Sequence, residues 1–416
     1  MAQTNLFTPV DSGLPAIQQP HAAWGDFDND GYPDLAITGF LNGGAVALVF
    51  HNNHNGTFTD ANAGLQSYNG GKPSWGDFNR DGFLDLLIAD STNRLYLNNG
   101  NGTFTPTPSA LPMDTWKNEA AWGDYDNDGH LDVFSTGAGL FRNNTDGTFT
   151  NVPGPVPPLM YGSIDWGDFD NDGDLDRVIT GRASNGRSSE PHICKVYRND
   201  GPAGFVQVAA FTGIYLASAL WGDYDNDGYL DLLVIGGIGD VGQLAKIYHN
   251  NGNQTFTDIN AGLTPVTFGS AAWGDFDNDG YLDAIITGQG TNSVSVTALY
   301  RNNHDNTFSL VPAGLTNVVN SFVSWADVDQ DGDLDLLVGG YATPWATPVL
   351  QLYRNNSISN TPPLDPEALP ATFLTNGDVA LRWAAPADAQ TPTTGLDYNL
   401  RLGTSPGGID VIAPQA

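Results

Sequence analysis

One pattern of apolar and polar positions recurs along the whole chain. An apolar pair precedes Trp-Gly-Asp, an acidic loop follows, and an uninterrupted apolar run closes the motif, usually at Gly. It reads WGDFDNDGYPDLAITG from Trp24, WGDFNRDGFLDLLIAD from Trp75, WGDYDNDGHLDVFSTG from Trp122 and WGDFDNDGDLDRVITG from Trp166. It returns as WGDYDNDGYLDLLVIG from Trp221, WGDFDNDGYLDAIITG from Trp273 and WADVDQDGDLDLLVGG from Trp325. Seven copies at intervals of about 50 residues establish an internal repeat.

The rest of each unit carries further strand signals. A variable stretch leads to a short apolar segment such as Leu95–Leu97 or Leu299–Arg301, then to an Asn- and Gly-rich turn (NNGNGTF, NNHDNTF). A last strand follows around the Phe of a recurring Thr-Phe pair: Phe58, Phe104, Phe149, Phe256 and Phe308. Four short strands per unit without helical periodicity match one propeller blade, whereas solenoids of this period usually carry helices. The predicted fold is all-β: a seven-bladed β-propeller of four-stranded blades, with a short β C-terminal segment. The seventh unit has no Thr-Phe strand after LYRNN, but the N-terminal NLFTPVDSGL resembles TFTDANAGL and TFTDINAGL. The strand around Phe7 is expected to close the last blade against the strand near Tyr353, removing a free sheet edge. The propeller then spans residues 1–356.

The acidic loop reads D-x-D-x-D-G-x-x-D. Positions 1, 3, 5 and 9 are Asp26, Asp28, Asp30 and Asp34 in the first loop, and Asp77, Asn79, Asp81 and Asp85 in the second. They are Asp124, Asp126, Asp128 and Asp132 in the third, then Asp168, Asp170, Asp172 and Asp176 in the fourth. The last three loops carry Asp223, Asp225, Asp227 and Asp231; Asp275, Asp277, Asp279 and Asp283; and Asp327, Asp329, Asp331 and Asp335. Asn79 alone is not an aspartate, and it still offers an oxygen. Three carboxylates flank a tight turn, Gly at position 6 permits the reversal, and position 9 closes the cage. All-oxygen, multi-carboxylate coordination suits Ca²⁺ rather than Zn²⁺. An EF-hand would need Glu at position 12 between helices; the first loop has Ile37 there, between strands.

These loops resemble the FG-GAP or VCBS repeats of integrin α-subunit propellers and of many bacterial surface proteins, over residues 5 to 356. The resemblance implies that each loop joins the first and second strands of a blade on one face. It also implies a backbone carbonyl ligand at position 7: Tyr32, Phe83, His130, Asp174, Tyr229, Tyr281 and Asp333. About seven Ca²⁺ are expected. All seven blades carry the loop, unlike integrins, and integrin function is not transferred. After a Ser/Pro-rich linker at 357–370, the segment 371–416, with Trp383 and Tyr398, resembles the opening half of a fibronectin type III module.

Composition changes the picture in one respect. Of the 47 acidic residues, all but Glu119, Glu190 and Glu367 are aspartate, a bias that turns and metal loops explain and helices do not. The net charge of −32 with 15 basic residues argues against a nucleic-acid partner. No apolar run is long enough to span a membrane. A single cysteine, Cys194, excludes an internal disulfide and leans weakly towards the cytosol, but metal loops of this type bind at ~10⁻⁴–10⁻³ M, which suits an extracellular, secreted or cell-surface setting.

No nucleophile motif such as G-x-S-x-G is present, and His192 and Cys194 read as loop residues. The chain is expected not to be an enzyme, with a polysaccharide-active propeller as the remaining catalytic reading. The loops being equivalent, a ligand is expected on the opposite face, where Tyr68, Trp116, Tyr161, Tyr215, Phe268 and Phe322 precede the repeat tryptophans. These rings would stack on a glycan or protein ligand, or plug the channel mouth. The longest connections there, Gly181–Lys195 (Arg182, Arg187, His192) and Gly339–Val349 (Tyr341, Trp345), would set specificity. A binding and adhesion module thus competes with a structural subunit of a surface assembly; a saturable ligand marks the first, self-association the second.

Overall fold

The computed structural model describes residues 6–66, 71–89, 94–107, 111, 119–183, 192–239, 241–342 and 347–357, and the backbone of strands Glu367–Phe373 and Val379–Ala384. Tyr68, Trp116, Arg187, Trp345 and Tyr398 lie outside the described residues, as does most of the fibronectin-like segment. Among the described residues, two 3-10 turns, Gly201–Ala203 and Thr291–Ser293, interrupt an otherwise β structure.

Each repeat forms an antiparallel four-stranded arrangement in chain order. In unit 1 the strands are Gln18–Gly25, Asp34–Leu41, Gly44–Asn52 and Phe58–Asp60. Units 2, 3 and 6 repeat this from Lys72–Gly76, Ala120–Gly123 and Ala271–Gly274. Units 4 and 5 share one larger sheet, because Phe205–Gly222 is a single strand of 18 residues. Its first half is the outer strand of unit 4, and its second half is the first strand of unit 5. Unit 7 contributes Val319–Ala326, Asp335–Tyr341 and Pro348–Asn355; its outer strand is Phe7–Val10, paired from Phe7 with Asn355 to Val10 with Leu352.

The first strands touch one another in chain order, and that of unit 7 touches that of unit 1. This is the arrangement of a repeat-based β-propeller. It explains the unbroken apolar runs. Leu35 and Ile37 pack towards unit 7 with Phe322, Leu337 and Leu352, while Ala36 and Val49 pack towards unit 2 with Leu86, Ile88 and Tyr96. A strand buried on both faces has no polar side to alternate with.

The repeat tryptophans seal the joints between units. Trp75 stacks on Phe27 of unit 1 at 6.2 Å and 9°, and Phe104 tilts against both rings. Phe78 with Trp122, Phe169 with Trp221 and Tyr224 with Trp273 repeat the stack, and Phe7 supplies the third ring against Phe276 and Trp325. The Gly that follows six of the seven tryptophans makes room for the next indole: a Cβ on Gly25 would lie 2.7 Å from Trp75 Cδ1.

Two expectations need correction. His192 and Cys194 lie not in a loop but on strand His192–Asn199. Cys194 is fully buried, and burial pushes its thiol up to about 12, far from a reactive thiolate. The variable connections are also shorter than the sequence suggested, because strands Asp176–Ala183 and Asp335–Tyr341 extend beyond their glycines.

Candidate metal centres

All seven acidic loops join the first and second strands of their units and share one hydrogen-bond frame. Position 4 adopts a left-handed conformation, as at Asn29 with φ 61°, which Asn tolerates better than most residues. The position 1 carboxylate is then reached by two backbone N–H groups: Asp30 N donates to Asp26 Oδ1 and Gly31 N to Asp26 Oδ2, both at 2.9 Å. Position 5 accepts from the N–H of position 7, as Asp30 Oδ1 does from Tyr32 at 2.9 Å. The same bonds recur around Asp77, Asp124, Asp168, Asp223, Asp275 and Asp327. Oxygens of Asp26, Asp28 and Asp30 converge within 4.8 Å of one another, as do those of Asp124, Asp126 and Asp132.

Position 9 has a second task. Asp34 is fully buried; its Oδ1 accepts from Asn52 N at 2.8 Å and its Oδ2 from Phe27 N at 3.2 Å. The loop is thereby tied to the third strand. Burial is the main cause pushing the position 9 carboxyls up: Asp34, Asp85 and Asp231 to about 8, Asp283 to about 9, and Asp132, Asp176 and Asp335 to about 7. Neighbouring loop aspartates add to this, and the N–H bonds oppose it.

The donor set fits a hard divalent cation on an observation independent of spacing. Asp170, Asp225, Asp277 and Asp329, all at position 3, each have an enclosed Oδ1 with no hydrogen-bond partner; Asp85 and Asp335, at position 9, have an enclosed Oδ2 in the same condition. A buried carboxylate oxygen without a donor is costly unless a cation compensates it.

Basic side chains from the third strand reach the same carboxylates. His51 Nδ1 lies 3.0 Å from Asp28 and 3.5 Å from Asp34; His249 Nδ1 lies 3.2 Å from Asp225 and 3.3 Å from Asp231. Arg142 bridges Asp126 and Asp128 at 2.7 Å, Arg301 Nε sits 2.6 Å from Asp277, and Arg354 pairs with Asp329. In the second loop both partners change together: position 3 is Asn79, and Leu97 stands where the others have His or Arg.

Two sets of residues with structural roles in the loops escaped the sequence reading. The Asn ending each third strand reaches across to the neighbouring unit. Asn98 Nδ2 donates to Phe27 O at 2.7 Å, and Asn143, Asn199, Asn250, Asn302 and Asn355 repeat the bond to Phe78, Tyr125, Phe169, Tyr224 and Phe276. Asn52 completes the series by donating to Val328 O of unit 7 at 2.8 Å. The position 4 side chains link loop to loop: Asn29 to Gly82 O, Asn171 to Gly228 O, Asn226 to Gly280 O, and Gln330 of unit 7 to Gly31 O of unit 1. The recurrence of Asn at fixed places in the repeat was the available signal. The side chains of Asp174 and Asp333 are engaged here too, accepting from Asn127 and Asn278 at 2.7 Å.

A family model for the FG-GAP-like repeat matches residues 26–88, 77–135, 223–286 and 275–338, together more than half of the chain. This chain belongs to the FG-GAP-like repeat family. Each match runs from the first aspartate of one loop into the second strand of the next unit, so the FG-GAP-like unit is registered on the acidic loops. Unit 4, from Trp166, falls between the matched spans. No curated protein matches the chain. Solved structures similar to it include an Agrocybe aegerita lectin described as recognising non-reducing terminal N-acetylglucosamine, with 20% identity over 70% of this chain and 79% of that one, and a TM-score of 0.48. Another is Penicillium chrysogenum α-L-arabinanase complexed with arabinobiose, with 14% identity, 84% and 97% coverage, and a TM-score of 0.43.

At the other ends of the strands, Tyr161, Tyr215 and Phe268 are half-buried, and Phe322 is buried against Gly339. The His192 ring stacks on Tyr215 at 4.7 Å. Tyr161 and Phe268 hold left-handed backbone conformations, φ 53° and 51°, unusual for bulky side chains. Among the described residues no helix is long and apolar enough to cross a membrane.

Proposed function

We propose that this chain is a closed, seven-bladed, calcium-stabilised propeller that works outside the cell as a non-enzymatic binding and adhesion module. Its ligand, a glycan or a protein, is taken by the face opposite the acidic loops. The observation that carries the reading is the chemical equivalence of the seven loops. Each has the same carboxylate frame, and hydrogen bonds from unit to unit lead back from unit 7 to unit 1. Seven sites built on one frame, with Asn79 as the one change of ligand type among the side chains, suit a staple; a catalytic centre needs one distinct site. Asp, Asn and backbone oxygens of the loops would hold Ca²⁺, which would compensate the enclosed carboxylate oxygens that no hydrogen-bond donor reaches. Affinities of ~10⁻⁴–10⁻³ M, usual for extracellular modules, match a calcium-rich compartment.

The test combines metal analysis with loop disruption. In calcium buffer, elemental analysis is expected to return about seven Ca²⁺ per chain. Replacing Asp275 and Asp279 with Ala should lower the melting temperature and weaken its response to EDTA. Ligand recognition, read on a calcium-replete glycan array or by protein pull-down, should be unchanged at low temperature. One calcium or none would refute the staple, and loss of ligand binding or of a turnover with unchanged melting would refute the division of labour.

A further inference from the structure

Unit 4 departs from the others at one core position. The residue after the position 9 aspartate is Leu35, Leu86, Val133, Leu232, Ala284 or Leu336 in the other units, each fully buried. In unit 4 it is Arg177, only 1% exposed. The guanidinium is sandwiched between Phe205, with Cζ 3.8 Å from the ring centroid, and Phe134 at 4.5 Å. The rings cover its faces, and two of its three nitrogens are left without acceptors. Nε and Nη1 are enclosed with no hydrogen-bond partner, and among the described residues no carboxylate pairs with this cation. A buried, unpaired charge is among the costliest features a core can carry.

Arg177 also lines a cavity of 890 Å³ between units 3 and 4, walled by Tyr125, Phe134, Pro155, Val156 and Phe205. Gly154, another lining residue, lies beside Nη2: an added Cβ there would be 3.8 Å from it. Two acids also line the cavity, and both are engaged. Asp126 is 2.7 Å from Arg142 Nε, and Asp174 accepts from Asn127. The walls are partly aromatic and aliphatic and partly polar, Arg177 is a lining cation that no carboxylate among the described residues pairs with, and the volume far exceeds that of an inorganic ion.

We propose that this inter-unit cavity binds a small organic carboxylate, such as a uronic acid sugar, with the carboxylate against Arg177 and the apolar face of the ring against Tyr125 and Phe205. A charge-assisted bond to a desolvated guanidinium and stacking on aromatic rings are the recognition chemistry such a ligand needs. The cavity's lining joins Asp126 and Asp174 of the third and fourth acidic loops to the connections at Ala138–Gly139 and Pro153–Val156.

Calcium-loaded protein is titrated with sodium glucuronate, with glucose and with sodium chloride at matched ionic strength, following melting temperature and calorimetric heat. Glucuronate is expected to raise the melting temperature saturably while glucose and chloride do not. Arg177→Leu, which introduces the residue that four of the other six units carry, should abolish the response or weaken binding by about tenfold or more. Arg177→Lys, keeping charge but not the planar fork, should bind between the two. If glucuronate acts on the wild type no differently from chloride, or equally on R177L, the site does not exist. The wild-type arms decide this even if R177L fails to fold.

Discussion

Replacing Asn52 with Ala tests whether the ring of carboxamides, rather than the strands alone, holds neighbouring units together. Asn52 is fully buried. Its Nδ2 donates to Val328 O at 2.8 Å and Pro33 O at 3.1 Å, and its Oδ1 accepts from His54 N at 3.0 Å. The substitution removes all three bonds, including the donor that Val328 O of unit 7 accepts from and the one that Pro33 O of unit 1 accepts from. At about 1 kcal/mol for each lost bond, the expected cost is about 3 kcal/mol. Unfolding entropy of ~2 cal/mol/K per residue over about 350 residues makes each kcal/mol worth roughly 1.4 °C. The melting temperature in calcium should therefore drop by about 4 °C. The neighbouring Asn53 is the control: its Nδ2 bonds only Thr57 and Thr59 in the same exposed turn, and Asn53→Ala should cost under ~1 kcal/mol. Differential scanning calorimetry of both variants decides the matter. Equal melting of N52A and N53A would refute the reasoning, since burial and the reach across units are all that distinguish the two.

Three further outcomes follow from the same geometry. Phe7→Ala should destabilise by about 3–4 kcal/mol, because the buried ring fills the gap between Phe276 and Trp325; a variant melting like wild type would mean that Phe7–Val10 does not seal unit 7. In EDTA, the position 9 carboxyls that burial raises from 3.8 to about 7–9 hold protons in the folded state that the unfolded chain has released. Their stabilising contribution is full below pH 3.8 and is lost as pH rises through about 7–9, so the metal-free melting temperature should fall between about pH 5 and pH 8 while the increment from added calcium grows. A rise over that range would contradict the sign. Finally, Asp277→Asn and Arg301→Leu convert the sixth loop to the Asn79/Leu97 pairing of the second, so in EDTA the double variant should be more stable than the sum of the single losses, each about 0.5–1 kcal/mol for this half-exposed pair. Strict additivity in a denaturant-based double-mutant cycle would show that the pair is uncoupled.

Features set by short stretches of chain could be read from the sequence: the repeat, its strand signals, the turn glycine of each loop, and the nine-residue spacing of the carboxylates. Local sterics and the two-residue strand period determine these before any long-range contact exists. The resemblance of NLFTPVDSGL to the outer strands was legible as well, because strand pattern is local. What a side chain meets across a joint between units was not. Trp75 recurs at a fixed place in the repeat, yet its stack on Phe27 depends on the placement of two sheets. Asn52 reads as one more turn asparagine beside Asn53, and only tertiary structure separates a carboxamide bonded across 276 residues from one bonded across four. The strand His192–Asn199 was mistaken for a loop because Pro, Ser and Gly precede it, and the sheet partner that orders it, Phe205–Gly222, comes later in the chain. Arg177 is the clearest case. Its departure from the Leu, Val or Ala of other units stood in plain view, but whether an arginine after an aspartate faces water, a partner or an aromatic sandwich beside a cavity is decided by the walls that units 3 and 4 build together.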